Sequence, residues 1–281
     1  MRFVVTGATG QLGRALTEPL GDAVVWAGGA RSLDIRDAEM VARVVREARP
    51  DVVLNSAAYN AVDAAERDVE TCFAVNAAGP LHLARAAAQA GALMVHVSTD
   101  YVFDGRSDRP YTEDDCPRPL SVYGTSKLAG EHLVAASGCP FLVVRTSGLF
   151  GSGGSRSKGG SFVERVLVRA RAGEPLRVVS DQVFSPTYAP DLAEAILALV
   201  RRGSRGLFHV TNAGSCSWHG LAVAVLKLTG IDARVEEIRA RDLGAPARRP
   251  AHTILSKARY EAQGLLPLRS WSEALASHLS T

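Results

Sequence analysis

The sequence predicts an α/β fold: a Rossmann-type doubly wound parallel sheet with a smaller, partly interleaved C-terminal substrate lobe. Three observations lead there. Short, wholly apolar runs alternate with helical stretches through the first half of the chain, the composition of strands buried on both faces by crossover helices. A glycine-rich turn follows the first of these runs and opens the first helix. Beyond about Thr146 the regular alternation stops.

The elements follow in order. Apolar runs at Phe3-Val4-Val5, Val24-Val25-Trp26, Val52-Val53-Leu54, Met94 to Val97 and Phe141 to Val144 read as strands bounded by turn or cap residues. Helical patterns lie between them, at Gln11 to Leu20, Asp37 to Ala48, Val69 to Ala90 and Val122 to Ser137. The third is alanine-rich and ends on Gly91, as a helix C-terminus should. Gly151 to Gly160 is a glycine–serine loop. After it come a helix near Phe162 to Ala172, a strand at Leu176 to Val179 and a helix at Asp191 to Arg202, with Asp191 capping or favouring its first turn. A strand at Leu207 to Val210 and helices near Trp218 to Thr229 and Trp271 to Leu279 complete the chain. The expected division is a dinucleotide-binding domain over 1–147 and a mainly substrate-binding lobe over 148–281, with about 187–210 returning to the first domain.

Composition narrows the function classes. The chain has 281 residues, with 32 basic against 29 acidic residues and a net charge of +3. That balance is too even for a nucleic-acid coat. Arg201-Arg202, Arg205 and Arg248-Arg249 read as solvated ends and loops, with contact to a diphosphate as the alternative. The four cysteines form no CxxC or metal-ligand spacing, so a reducing cytoplasm is expected and no metal site. No apolar run reaches the ~18 residues of a membrane span.

The turn Thr6-Gly7-Ala8-Thr9-Gly10-Gln11-Leu12-Gly13 carries the first chemistry. Gly7 allows the tight turn, Gly10 lets the backbone approach a pyrophosphate, and Gly13 allows close helix–strand packing. The helix N-terminus then offers unpaired N–H groups to the phosphates. Asp34, in Leu33-Asp34-Ile35, either accepts from an adenine amino group or caps the next helix. Asn55 to Tyr59 is small enough to run beside a ribose and nicotinamide. The end of the second strand, Ala27 to Arg31, has no acid for a ribose 2′-hydroxyl and one arginine. It leans towards NADPH over NADH, with Arg31 as the contact.

Tyr123 and Lys127 are four residues apart at the start of a helix, so both project from one face. They follow a strand that ends in Ser98-Thr99-Asp100 and is delivered to the same crevice as the glycine turn. Hydride addition to a ketone builds charge on oxygen, which calls for a proton donor and hydrogen-bond stabilisation. Tyr123 can donate the proton, Lys127 should lower the phenol pKa and hold the cofactor ribose, and Thr99 can orient the carbonyl.

With these residues in hand, the chain resembles the dTDP-4-dehydrorhamnose reductase family of extended short-chain dehydrogenases. The resemblance runs through Gly7 to Gly13, Leu33 to Ile35, Asn55 to Tyr59 with Asp63 and Glu66, Val75-Asn76, Ser98 to Gly105, Tyr123 to Glu131, Arg145 to Ser147, Asp181-Gln182, Pro186-Thr187, Asp191 to Ala193 and Arg249-Pro250. It implies Thr99, Tyr123 and Lys127 as catalytic residues. It implies cofactor contacts at Gly10, Gln11, Leu12, Asp34, Ile35, Ala57, Ala58, Tyr59, Tyr123 and Lys127. Sugar contacts would be Thr99, Asp100, Val102, Tyr123 and Gly148. The implied reaction is NADH- or NADPH-dependent reduction of the 4-keto group of a dTDP-linked 6-deoxyhexose, with a homodimer kept open. Gly148 departs from the tryptophan common in the family, and Asp181 to Pro186 and the glycine–serine loop also differ. The sugar is therefore left open between dTDP-4-dehydrorhamnose and a related 4-keto-deoxysugar. A non-catalytic regulatory subunit of methionine adenosyltransferase, and an epimerase or dehydratase, are the alternatives on this fold.

Overall fold

Alternation of apolar residues on two buried faces organises the molecule. In a computed structural model that describes residues 1–153 and 160–280, β1 (Phe3–Thr6) sends Phe3 and Val5 into one core and Val4 into the other. It is followed by α1 (Gln11–Leu20), β2 (Val24–Gly28), α2 (Ala38–Ala48) and β3 (Val52–Asn55). Then come α3 (Val62–Ala65), α4 (Val69–Phe73), α5 (Gly79–Gln89), β4 (Leu93–Thr99), α6 (Val122–Ala135) and β5 (Phe141–Thr146). The remainder comprises β6 (Leu149–Phe150), α7 (Phe162–Arg171), β7 (Leu176–Val179), β8 (Val183–Phe184), β9 (Thr187–Tyr188), α8 (Ala189–Arg201), β10 (Gly206–His209), β11 (Cys216–Ser217), α9 (Trp218–Thr229), β12 (Val235–Ile238), α10 (Ala258–Glu261) and α11 (Trp271–Leu279). The interior of the glycine–serine loop lies outside the described residues.

Six strands form one parallel sheet in the order β2-β1-β3-β4-β5-β10. Leu12 and Leu16 of α1 share a core with Leu192, Ile196 and Leu199 of α8 on one face. Val41 and Val45 of α2 and Leu83 and Ala84 of α5 cover the other. Fully burying one such aliphatic side chain stabilises the fold by about 1.5–3 kcal/mol. A separate core of Phe150, Val163, Phe184, Leu221 and Leu275 holds the C-terminal elements together. There β7 pairs with β12, β8 with β11 and β6 with β9.

One expectation changes and another narrows. The single helix over 69–90 is interrupted by a π-turn at Ala74–Ala78. The wider turn carries Asn76, whose Oδ1 accepts from Tyr59 N at 2.8 Å and whose Nδ2 donates to Tyr59 O at 2.9 Å and Ser126 Oγ at 3.0 Å. The wider turn thus brings one amide against both the loop after β3 and the helix α6. Of the two roles expected of Asp191 it takes the second, favouring the first turn rather than capping, because α8 starts two residues earlier after Tyr188. It lies in the first turn, paired with Arg269 at 2.8 Å.

Candidate active site

The chain runs from β1 out to β2 and returns to β3 on the other side of β1. Such a reversal opens a crevice at the carboxyl ends of the strands. A cleft of about 760 Å³ occupies that position, within the range of small-molecule sites. Its walls include Gly7, Gly10, Gln11, Leu12, Gly13, Asp34, Ile35, Ala57 and Ala58 at one end. Thr99, Asp100, Tyr123, Lys127 and Gly148 line the other.

The glycine turn is shaped for an anion. Gly7 has φ +71°, and a Cβ there would lie 2.5 Å from Ala57 N. A Cβ on Gly13 would lie 2.2 Å from Gly7 O. Gly10 is different, because its nearest obstacle is Gly7 O at 3.3 Å. Its small size leaves room towards the cleft. It is also the N-cap of α1, with no side-chain cap and no acid in the first turn. An uncapped helix N-terminus facing a cleft suits a pyrophosphate. Gln11 donates from Nε2 to Gly151 O at 3.0 Å, tying the first turn of α1 to the segment that follows β6.

Asp34 is bound to Arg36, which donates from Nη2 to Oδ2 at 2.5 Å. That pairing holds the Asp34 carboxyl below its ordinary pKa. The helix cap is Asp37, which accepts from Met40 N at 2.9 Å. Arg36 lines the cleft and Arg31 does not. The arginine of this loop that lines the cleft is thus Arg36, held there by Asp34. Tyr59 also stands off the cleft, with its backbone engaged by Asn76, and Asn60 lines the wall instead. Val102 is a further correction: it is fully buried with Phe103, Tyr111 and Leu255, leaving no surface for a sugar. Its neighbour Tyr101 faces the cleft.

Thr99 ends β4, and α6 starts with Ser121 accepting from Gly124 N at 3.2 Å and Glu66 Oε1 accepting from Val122 N at 2.9 Å. The two contacts fix the turn that carries Tyr123. Lys127 is 2% exposed, and its Nζ donates to Val97 O at 2.7 Å. Burial pulls its pKa down to about 8. The Tyr123 phenol is pushed upward, by burial first, with its hydrogen bond to Thr99 working the other way. Burial beside Asp100, Tyr101 and Cys72 sets the net direction, and the nearby Lys127 ammonium, engaged with Val97 O, does not reverse it. Thr99 donates to Asp100 Oδ1 at 3.1 Å and accepts from Tyr101 N at 3.2 Å. Asp100 also accepts from Ser147 Oγ at 2.7 Å, and burial pushes its carboxyl above the ordinary range.

The far wall is aromatic beside Gly148. Gly148 has φ +51°, and a Cβ there would stand 2.1 Å from the Phe184 ring. That ring stacks on Trp218 with centroids 4.0 Å apart and planes at 32°. A pocket of about 20 Å³ between Gly148, Phe184, Trp218, Gln182 and Thr253 shares Asp100, Tyr101, Ser147, Gly148 and Trp218 with the main cleft. Sequence reading missed Phe184, Trp218, Arg165 and Thr253, since only long-range pairing such as β8 with β11 brings them here. Arg249, weighed as a diphosphate contact, is instead bound to Asp63 through two bonds of 2.9 and 2.7 Å. Among the described residues no cluster of histidine, cysteine and carboxylate could hold a metal ion, and no helix is long and apolar enough to cross a membrane.

The whole chain, residues 1–281, matches the RmlD substrate binding domain family. It is 44% identical over 288 residues to a dTDP-4-dehydrorhamnose reductase of Mycobacterium tuberculosis, covering 99% of this chain and 92% of that protein. It is 39% identical over 280 residues to the spore coat polysaccharide biosynthesis protein SpsK of Bacillus subtilis, covering 99% and 96%. The crystal structure of dTDP-4-dehydrorhamnose reductase from Bacillus anthracis in complex with NADP superposes with a TM-score of 0.95. That pair is 35% identical over 99% of this chain and 98% of the other.

Proposed function

We propose that this chain, which belongs to the dTDP-4-dehydrorhamnose reductase family, reduces the 4-keto group of a dTDP-linked 6-deoxyhexose with NADPH or NADH. The observation that carries the reading is the meeting of Thr99, Tyr123 and Lys127 on one wall of the cleft whose opposite end is the glycine turn.

Gly7, Gly10, Leu12 and Gly13 would hold the pyrophosphate of the dinucleotide, and Ala57 and Ala58 would pass beside its ribose and nicotinamide. No acid stands at the tip of the second strand, Ala27 to Arg31, to hold a free ribose 2′-hydroxyl, so NADPH is the preferred form. When bound, the reduced nicotinamide supplies the hydride that adds to the ketone carbon. Tyr123 donates its phenolic proton to the oxygen as negative charge develops there. Burial keeps that phenol protonated, and hence a donor, at neutral pH. The Thr99 hydroxyl orients the carbonyl oxygen, and the Lys127 ammonium favours the phenolate left behind. The phenolate regains its proton from solvent, so each turnover converts ketone, reduced cofactor and one proton into alcohol and oxidised cofactor.

The segment 148–281 is the substrate-binding part in this reading, with Phe184 and Trp218 as an apolar wall for a deoxysugar. All four cysteines are free thiols, which fits a reducing cytoplasm. A panel of dTDP-4-keto-6-deoxysugars assayed with NADPH and NADH tests the proposal. Consumption of NADPH with at least one of them, faster than NADH, is expected. Pull-down of another enzyme with no substrate-dependent oxidation would overturn it in favour of a regulatory subunit.

A further inference from the structure

The catalytic lysine does not stand alone beneath the cleft. The parallel register sets Thr6 beside Asn55, and Asn55 beside His96, on three adjacent strands. All three side chains are buried, and they form one chain of contacts ending at Lys127. Thr6 Oγ1 donates to Asn55 Oδ1 at 2.7 Å, and Ala57 N donates to the same oxygen at 3.1 Å. Asn55 Nδ2 is 3.1 Å from His96 Nδ1, and His96 Nε2 is 3.3 Å from Lys127 Nζ.

The proton positions follow from one fixed donor. A backbone N–H can only donate, so Ala57 N identifies the acceptor end of the Asn55 amide. The other end is therefore the NH2 group, which has no lone pair to offer. His96 Nδ1 must accept from it. Burial holds the imidazole neutral, and a neutral ring with a bare Nδ1 carries its proton on Nε2. That N–H points at Lys127 Nζ. An amine can accept it, whereas an ammonium meets it as donor against donor. The chain cannot pass a proton onward, because it runs through an amide. It can only influence the charge at its other end.

We propose that His96 is a positioning residue for the reductase reaction: locked by Asn55 as the Nε2–H tautomer, it loosens the proton on Lys127 and so sets the alkaline limit of turnover. This rests on the proposed role of Lys127, but the tautomer itself does not. The other titratable groups facing Lys127 are Glu131 one turn further along α6, Tyr123 one turn earlier, and Cys72 on α4. Glu131 and Cys72 both favour the ammonium. The histidine works against them, together with burial.

The direct test is long-range proton–nitrogen correlation NMR on the full chain with labelled histidine. A protonated Nε2 and a bare Nδ1 for His96 are expected; the opposite tautomer, or a doubly protonated ring, at neutral pH would overturn the proposal whether or not any sugar is reduced. The kinetic companion is the pH profile of kcat/KM on the best sugar of the panel. In wild type, activity falls on the alkaline side as Lys127 loses its proton. His96→Leu removes the opposing donor, and the alkaline limb should move up by about one pH unit, the size of one hydrogen bond to a charged group. His96→Gln can keep an N–H towards Lys127 and should hold the limb near wild type. A folded His96→Leu enzyme with an unmoved or lowered limb would also overturn the proposal. If His96→Leu does not fold, the wild-type tautomer decides. A wild-type chain inactive on every sugar would instead count against the reductase reading and leave the tautomer measurement standing.

Discussion

The two ends of the cleft are built in different ways. At the end that holds the glycine turn, the shaping groups are backbone: Gly7, Gly10 and the first turn of α1, joined by the loop that follows β3. These come from short stretches of sequence whose conformation is fixed locally by glycine, by a helix start and by strand pairing. At the opposite end, Gly148, Phe184 and Trp218 lie on separate elements and meet through two-residue strands. Local rules fix almost nothing there. The contrast teaches that the first end tolerates little change, because a Cβ on Gly7 or Gly13 collides with backbone. The second is built from side chains on separate elements, with the Phe184 ring filling the space beside Gly148. Cofactor use should accordingly be stable within such a scaffold while the choice of sugar varies.

Two substitutions sharpen or break this comparison. The larger effect belongs to the residue between the two ends. Tyr123→Phe keeps the ring and removes the proton donor, so kcat should fall by roughly 10²–10⁴, while the Kd for NADPH, followed by fluorescence titration, stays close to wild type. Turnover at the wild-type rate would remove Tyr123 from the chemistry. The smaller effect belongs to the far wall. Trp218→Ala opens the stack on Phe184 and should raise the KM for the sugar roughly tenfold, about 1.4 kcal/mol of lost contact, with NADPH affinity unchanged. An equal loss at both ligands would mean that the two ends are not independent.

How much was legible in the sequence divides along the same line. The five apolar runs of the first half became β1 to β5, because continuous burial on both faces leaves a strong pattern. The glycine turn and the Tyr123–Lys127 spacing were readable because each depends on residues close in sequence. The π-turn at Ala74–Ala78 was not, since the alanine-rich stretch scores as helix throughout and the insertion serves Asn76's contacts with Tyr59 and Ser126. That Arg36 and not Arg31 lines the cleft is invisible in the sequence, because the approach of the second-strand loop depends on how that loop folds. Val102 fell inward where Tyr101 faces the cleft, a one-residue difference within the 3₁₀ turn at Asp100–Val102. His96 is a polar residue inside an apolar strand, a signal visible in the sequence. Its meaning needed the register that sets it beside Asn55.

Net hydride transfer to a sugar ketone defines the proposed reaction. Reaction with NADPH carrying deuterium at the transferring position of the nicotinamide, followed by mass spectrometry of the sugar nucleotide, tests this most directly. One deuterium at C4 of the product for each cofactor oxidised is the expected result. A changed sugar with no lasting oxidation of the cofactor, or oxidation with no deuterium in the sugar, would contradict it.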